Sequence, residues 1–108
     1  MADPIRTFSE SFPAAEPVVL GELIEYGADA VVSRTLAKGA SGTLTLFAFD
    51  KGQELSEHTA PFDAFVPVVE GEVEIVVDGK QLLAKGGESV LMPAAIPHSL
   101  SAKTPMKM

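Results

Sequence analysis

The sequence predicts an all-β fold, a small barrel or two-sheet jelly roll, on three observations. Short runs rich in Val, Leu, Ile, Thr and Phe recur from Val18 onward, separated by turn residues. No long stretch shows the apolar spacing of a helix. One hairpin is spelled out in full: Glu72–Val77, then Asp78-Gly79, then Lys80–Ala84, where Asp-Gly suits the positive φ angles of a tight type I′ turn.

Taken in order, residues 1–17 read as an N-terminal arm, with Pro13 and Pro17 punctuating the entry to the fold. Residues 18–108 read as one barrel domain. Strands are expected at Val18–Leu20, Ala30–Leu36, Thr43–Phe49, Ala64–Val69, Glu72–Val77, Gln81–Ala84 and Ser89–Met92. Turns are expected between them at Gly39–Gly42, Asp50–Gly52, Glu70–Gly71, Asp78–Gly79 and Lys85–Gly87. In the hairpin, Val73, Ile75 and Val77 fall on one face and Glu72 and Glu74 on the other, a strand with one buried and one wet side. Glu22–Tyr26 fits helix or strand equally. Thr104–Met108 starts like a strand and stops early.

At 108 residues the chain is one domain by length. A chain this short hides only about two-thirds of its unfolded surface, so a homodimer that buries more is expected. The net charge of −7 argues against nucleic acid and anionic membrane surfaces as partners. There are no cysteines, which excludes disulfides, thiolate metal sites and a cysteine nucleophile. Met1–Phe12 has no apolar h-region, so a cytoplasmic location is expected.

Other chemistry is weakly represented. Glu70, Glu72 and Glu74 read as a solvated strand face. Gly86-Gly87 lacks the strand–helix setting of a phosphate loop, and Ser41, Ser56 and Ser99 lack a nucleophile elbow. The chain's two histidines, His58 and His98, each lie beside a turn. A lone histidine is more often structural than a ligand.

Their spacing changes that reading. Gly52 is followed by five residues and His58, and Gly71 lies further on; Gly87 is followed by five residues and Pro93, and then by His98. This frame resembles the cupin superfamily, whose motifs are G-x5-H-x-H-x3-E-x6-G and G-x5-P-x-G-x2-H-x3-N. The chain is identified as similar to small single-domain bacterial cupins, with the motif core over residues 43–102. The resemblance implies a double-stranded β-helix, the jelly-roll barrel, and a dimer. In metal-binding cupins the three histidines and the glutamate point into the barrel and hold one divalent ion, often Fe, Mn, Ni, Cu or Zn. Here only His58 and His98 match. Ala60 and Ala64 stand at the other two ligand positions, Ala95 replaces the glycine and Ala102 the asparagine.

Asp63 sits one residue before the missing glutamate position, and a bulge near Pro61 is needed to turn it inward. Glu57 points away from His58 for the same reason. Three readings stay open: a pocket lined by residues such as Phe47, Phe49, Phe65, Val73, Ile75 and Met92 that binds a small organic molecule at the histidines; a metal-dependent enzyme such as an oxygenase or isomerase; and a structural barrel without activity.

Overall fold

The computed structural model describes Phe8 and residues 12–108; most of the proposed arm lies outside the described residues. Nine strands and one short 3₁₀ turn, Leu20–Glu22, make up the described chain. The strands are β1 (Val31–Gly39), β2 (Gly42–Phe49), β3 (Glu54–His58), β4 (Ala64–Pro67), β5 (Glu72–Val77), β6 (Lys80–Lys85), β7 (Ser89–Met92), β8 (His98–Ala102) and β9 (Met106–Lys107). They form three antiparallel sheets ordered β1-β2-β9, β3-β8-β5-β6 and β4-β7. This is the expected all-β jelly-roll architecture.

The β5–β6 hairpin follows its sequence. Asp78 and Gly79 have φ of 50° and 78°, the pair of positive angles a type I′ turn requires. Val73 and Ile75 are fully buried, while Glu72 and Glu74 are partly exposed. Val73 and Ile75 join Phe49, Val66, Val68, Ala84, Met92, Leu100, Ala102, Met106 and Met108 in the main core. A smaller core of Ile24, Leu36, Leu46 and Ala48 lies under the N-terminal segment.

Three expectations are corrected. Val18–Leu20 is not a strand: Glu22 N–H bonds Val19 O at 2.9 Å and Leu23 N–H bonds Leu20 O at 3.0 Å, so local turns satisfy the backbone instead of a ladder. These turns also decide Glu22–Tyr26, which is neither α-helix nor strand. The segments Glu54–His58 and His98–Ala102, absent from the strands expected from sequence, are strands. Glu-Leu-Ser-Glu-His has a single apolar residue, and β8 alternates buried His98, Leu100 and Ala102 with half-buried Ser99 and Ser101, a composition with little strand propensity. Thr104–Met108 does not simply stop. Met106 and Lys107 pair with β2, Met108 exchanges two backbone bonds with Phe47 at 2.8 and 3.0 Å, and Lys107 O accepts from Val69 N–H at 2.8 Å.

A polar latch holds that last strand against the N-terminal segment. Lys107, 9 % exposed, donates from Nζ to Gly21 O at 2.7 Å and lies over the Tyr26 ring, 4.7 Å from its centroid. Tyr26 donates to Glu70 Oε2 at 2.7 Å. Burial first, then this hydrogen bond and the Glu70 charge, hold the Tyr26 hydroxyl well above the ordinary phenol range. The folded state therefore holds the phenolic proton more tightly than the unfolded chain. Its stabilising contribution is complete below the ordinary phenol pKa of about 10 and is lost as pH climbs beyond it. Tyr26 is the chain's single tyrosine, so ultraviolet titration reads it alone. The folded protein is expected to show no tyrosinate at pH about 10, where the urea-unfolded chain is half ionised. Equal titration in both states would exclude the latch.

Candidate functional site

The site begins with a strand irregularity. Between β3 and β8, Leu55 pairs with Leu100 and His58 pairs with His98. Three steps on β3 thus match two on β8, which is the signature of a β-bulge at Ser56-Glu57. In a regular strand, an odd step would turn His58 to the opposite face from Leu55. The extra residue cancels that flip and sets His58 beside His98, which shares its face with the buried Leu100 and Ala102. The bulge that Asp63 would need lies near Pro61; the register shift observed is at Ser56-Glu57 and re-aims His58.

The two imidazoles meet tip to tip. Their Nε2 atoms are 3.0 Å apart and their rings lie 72° from coplanar. His98 is 3 % exposed, whereas His58 is open to solvent, so the pair sits where the interior meets the surface. Each Nδ1 faces a carbonyl two residues back: His58 to Ser56 O at 2.8 Å and His98 to Ile96 O at 3.1 Å. A carbonyl oxygen only accepts, so each Nδ1 carries the hydrogen. Both Nε2 lone pairs then point at the same place. Such a pair is satisfied by a proton held between the nitrogens or by a cation bound to both. A first-row divalent ion sits about 2.1 Å from an imidazole nitrogen. At that length, nitrogens 3.0 Å apart subtend about 90°, the angle of adjacent positions in an octahedral shell. The carbonyl bonds to Nδ1 are also the usual outer support of a metal-binding imidazole. The pair therefore fits two ligands of such an ion. Among the described residues, no set of three or more His, Cys, Asp or Glu side chains converges on a shared point.

Asp63 is not a further ligand. Its Oδ1 accepts the Ala94 N–H at 2.8 Å, and Ala60 O accepts the Ala95 N–H at 2.7 Å. Both bonds tie the 60–63 loop to the turn that leads into β8. Among the aromatic and aliphatic residues expected to line a pocket, Phe49, Val73, Ile75 and Met92 are buried in the main core and Phe47 packs against it. Phe65 is 69 % exposed and faces outward, because β4 turns Val66 inward and the two-residue period sends Phe65 the other way.

Three glycines of the motif frame occupy the left-handed region, with φ of 83° at Gly52, 80° at Gly71 and 92° at Gly87. Ala95, where the frame has glycine, keeps the same geometry at φ 64°. That conformation costs a residue with a Cβ about 1 kcal/mol. Ala95→Gly is therefore expected to stabilise the fold by up to about 1 kcal/mol, seen as a higher urea midpoint with an unchanged slope. A lower midpoint would contradict the strain at this turn.

No helix among the described residues is long and apolar enough to cross a membrane. No curated protein matches the chain. Solved structures do. A conserved protein of unknown function from Streptococcus pyogenes is 31% identical, with a TM-score of 0.88 over 97% of this chain and 92% of its own. A cupin superfamily protein from Desulfitobacterium hafniense is 28% identical, with a TM-score of 0.84 over 89% of this chain and 88% of its own. A cupin 2 conserved barrel domain protein from Leptotrichia buccalis is 41% identical, with a TM-score of 0.77 over 81% of this chain but 42% of its own length. The cupin domain family model matches residues 45–108, which span strands β3 to β9 and both histidines. With the motif frame, the fold and these matches in agreement, the chain belongs to the cupin family.

Proposed function

We propose that this cupin binds a small molecule at the His58–His98 pair, with a divalent first-row metal (Fe, Mn, Ni, Cu or Zn) as the anchor. One observation carries the reading: two Nε2 lone pairs 3.0 Å apart, each fixed in place by a carbonyl bond on the far side of its ring. The metal, when bound, supplies Lewis acidity toward an oxygen ligand. His98 holds the buried side of the centre, and His58 holds the side from which a ligand arrives. The test is the metal content of protein purified without chelator or nickel affinity resin, beside His58→Ala. About one metal per wild-type chain and none in the variant is the expected result. Protein that stays metal-free after soaking in each of the five ions would leave the pair without this role.

The proposal includes a cytoplasmic homodimer. Phe65 and Leu91 face each other across β4 and β7, and both are mostly exposed on the outer side. Exposed apolar side chains gathered on one sheet face suit a self-complementary contact. Light scattering at micromolar concentration is expected to give the mass of two chains; the mass of one chain would refute the dimer.

A further inference from the structure

We infer that β3 has two registers, and that the switch between them carries His58 into the site or out of it. The geometry rests on strand pairing alone; the consequence for binding rests on the metal reading above.

Two anchors bound the segment that moves. At one end Leu55 pairs with Leu100, and at the other the Ala60 carbonyl accepts the Ala95 N–H at 2.7 Å. Between them β3 holds one residue more than its partner strand matches, and the surplus lies in the bulge at Ser56-Glu57. The surplus has a second place to go. A regular ladder continued from Leu55 sets Ser56 opposite Ser99 and Glu57 opposite His98. The extra residue then passes into the turn at His58-Thr59, and neither anchor moves. Glu57 takes the inward position, and His58, one residue on, faces outward.

Little holds the segment in one place. β3 ends the sheet β3-β8-β5-β6, so a slip disturbs a single ladder. Ser56, Glu57, His58 and Thr59 are all exposed, so no core residue is uncovered. Among the described residues, no side-chain hydrogen bond or ion pair holds Ser56, Glu57 or Thr59. The bond from His58 Nδ1 to Ser56 O lies within the moving segment. The outgoing imidazole also has room. The outer face of the sheet carries an open groove of about 310 Å³, lined by Glu54, Ser56, Glu57, Ser99 and Ser101 among others.

What ties the segment to the interior is the contact of the two Nε2 atoms at 3.0 Å, two lone pairs that a bound cation joins. In the outward register a carboxylate meets the His98 imidazole instead, a pairing complete without a metal. A divalent ion held by both nitrogens binds the inward register alone and draws the population to it. The apparent affinity for metal therefore scales with the inward fraction.

The experiment is backbone nitrogen relaxation dispersion on metal-free wild type and on a chain lacking Ser56, with zinc then titrated into both and into Glu57→Leu. Metal-free wild type should show exchange on the microsecond-to-millisecond scale at residues 56–59 and at His98, and zinc should suppress it. The chain lacking Ser56 has no surplus residue, so a regular ladder itself sets His58 opposite His98 and the exchange should be absent. Glu57→Leu alters no ligand, but an apolar side chain at that position gains by turning inward, so zinc should bind it on the order of tenfold more weakly than wild type. Amides at 56–59 free of exchange in the metal-free wild type, or zinc bound equally by wild type and Glu57→Leu, would overturn the second register. If the shortened chain does not fold, those two results still decide. Zinc bound by none of the three chains would overturn the metal reading instead, and dispersion in the metal-free protein would still decide the register.

Discussion

Gly71→Ala is expected to remove a large share of the stability of the fold. Gly71 adopts φ 80°, where a side chain costs about 1–2 kcal/mol. A Cβ there would also press on the Pro105 carbonyl oxygen and come within 2.6 Å of Met106 Cβ and 2.7 Å of Met106 Cα. These are backbone and near-backbone atoms of β9 and of the residue that enters it, and they do not swing aside. Met106 is completely buried, and its strand is bonded to β2 on one side and to Val69 and Glu70 on the other. Relieving the clash therefore means shifting β9 out of both. Overpacking of a well-packed core adds about 1–3 kcal/mol to the conformational cost. A total of about 2–5 kcal/mol is a large share of the 5–15 kcal/mol typical of a domain. The check is a urea melt of Gly71→Ala beside Gly87→Ala. Gly87 has φ 92°, but a Cβ there would meet nothing within 4 Å. It should lose only the conformational part, about 1–2 kcal/mol. Equal losses in the two variants would show that contact with β9 is not what requires glycine at position 71.

The second large effect is expected at the histidine pair. A ligand that binds only the folded state stabilises it by about 2.7 kcal/mol at a hundredfold excess over Kd. For a chain of this size, that shift corresponds to a rise in Tm of about 10 °C. Nickel or zinc should produce such a rise in the wild type and none in His58→Ala. The metal competes with protons for Nε2, so the rise should shrink as the solution is acidified. Without metal, His58→Ala should melt close to the wild type. The substitution removes an exposed ring and with it one of two acceptors pointed at each other. A metal-dependent rise of the same size in the variant would move the binding centre away from this pair.

The elements read correctly from sequence share one property: their signal is local. The β5–β6 hairpin needs only the alternation of Val73 and Ile75 with Glu72 and Glu74, and an Asp-Gly turn. The motif frame of Gly52, Gly71 and Gly87 was equally legible, since a backbone held at positive φ asks for glycine wherever it stands. The histidines were legible as candidates through their spacing from those glycines. Strands β3 and β8 were not legible. Their residues become strand by pairing with each other and with β5, and Leu55, His98 and Leu100 take their burial from neighbours distant in the chain.

By itself, then, the sequence determined the all-β class, the turns that need positive φ, the family frame and the two histidine side chains whose nitrogens are the site candidates. Tertiary structure alone decided that these nitrogens meet. A bulge at Ser56-Glu57 shifts the register by one residue, and in a structure of period two, one residue is the whole difference between facing His98 and facing away. It also decided that Asp63 serves a loop and not the site, and that the final strand is held on both edges. A register shift or a cross-chain bond depends on which strand lies alongside, and that information resides in the packing of the whole chain and not in any local run of residues.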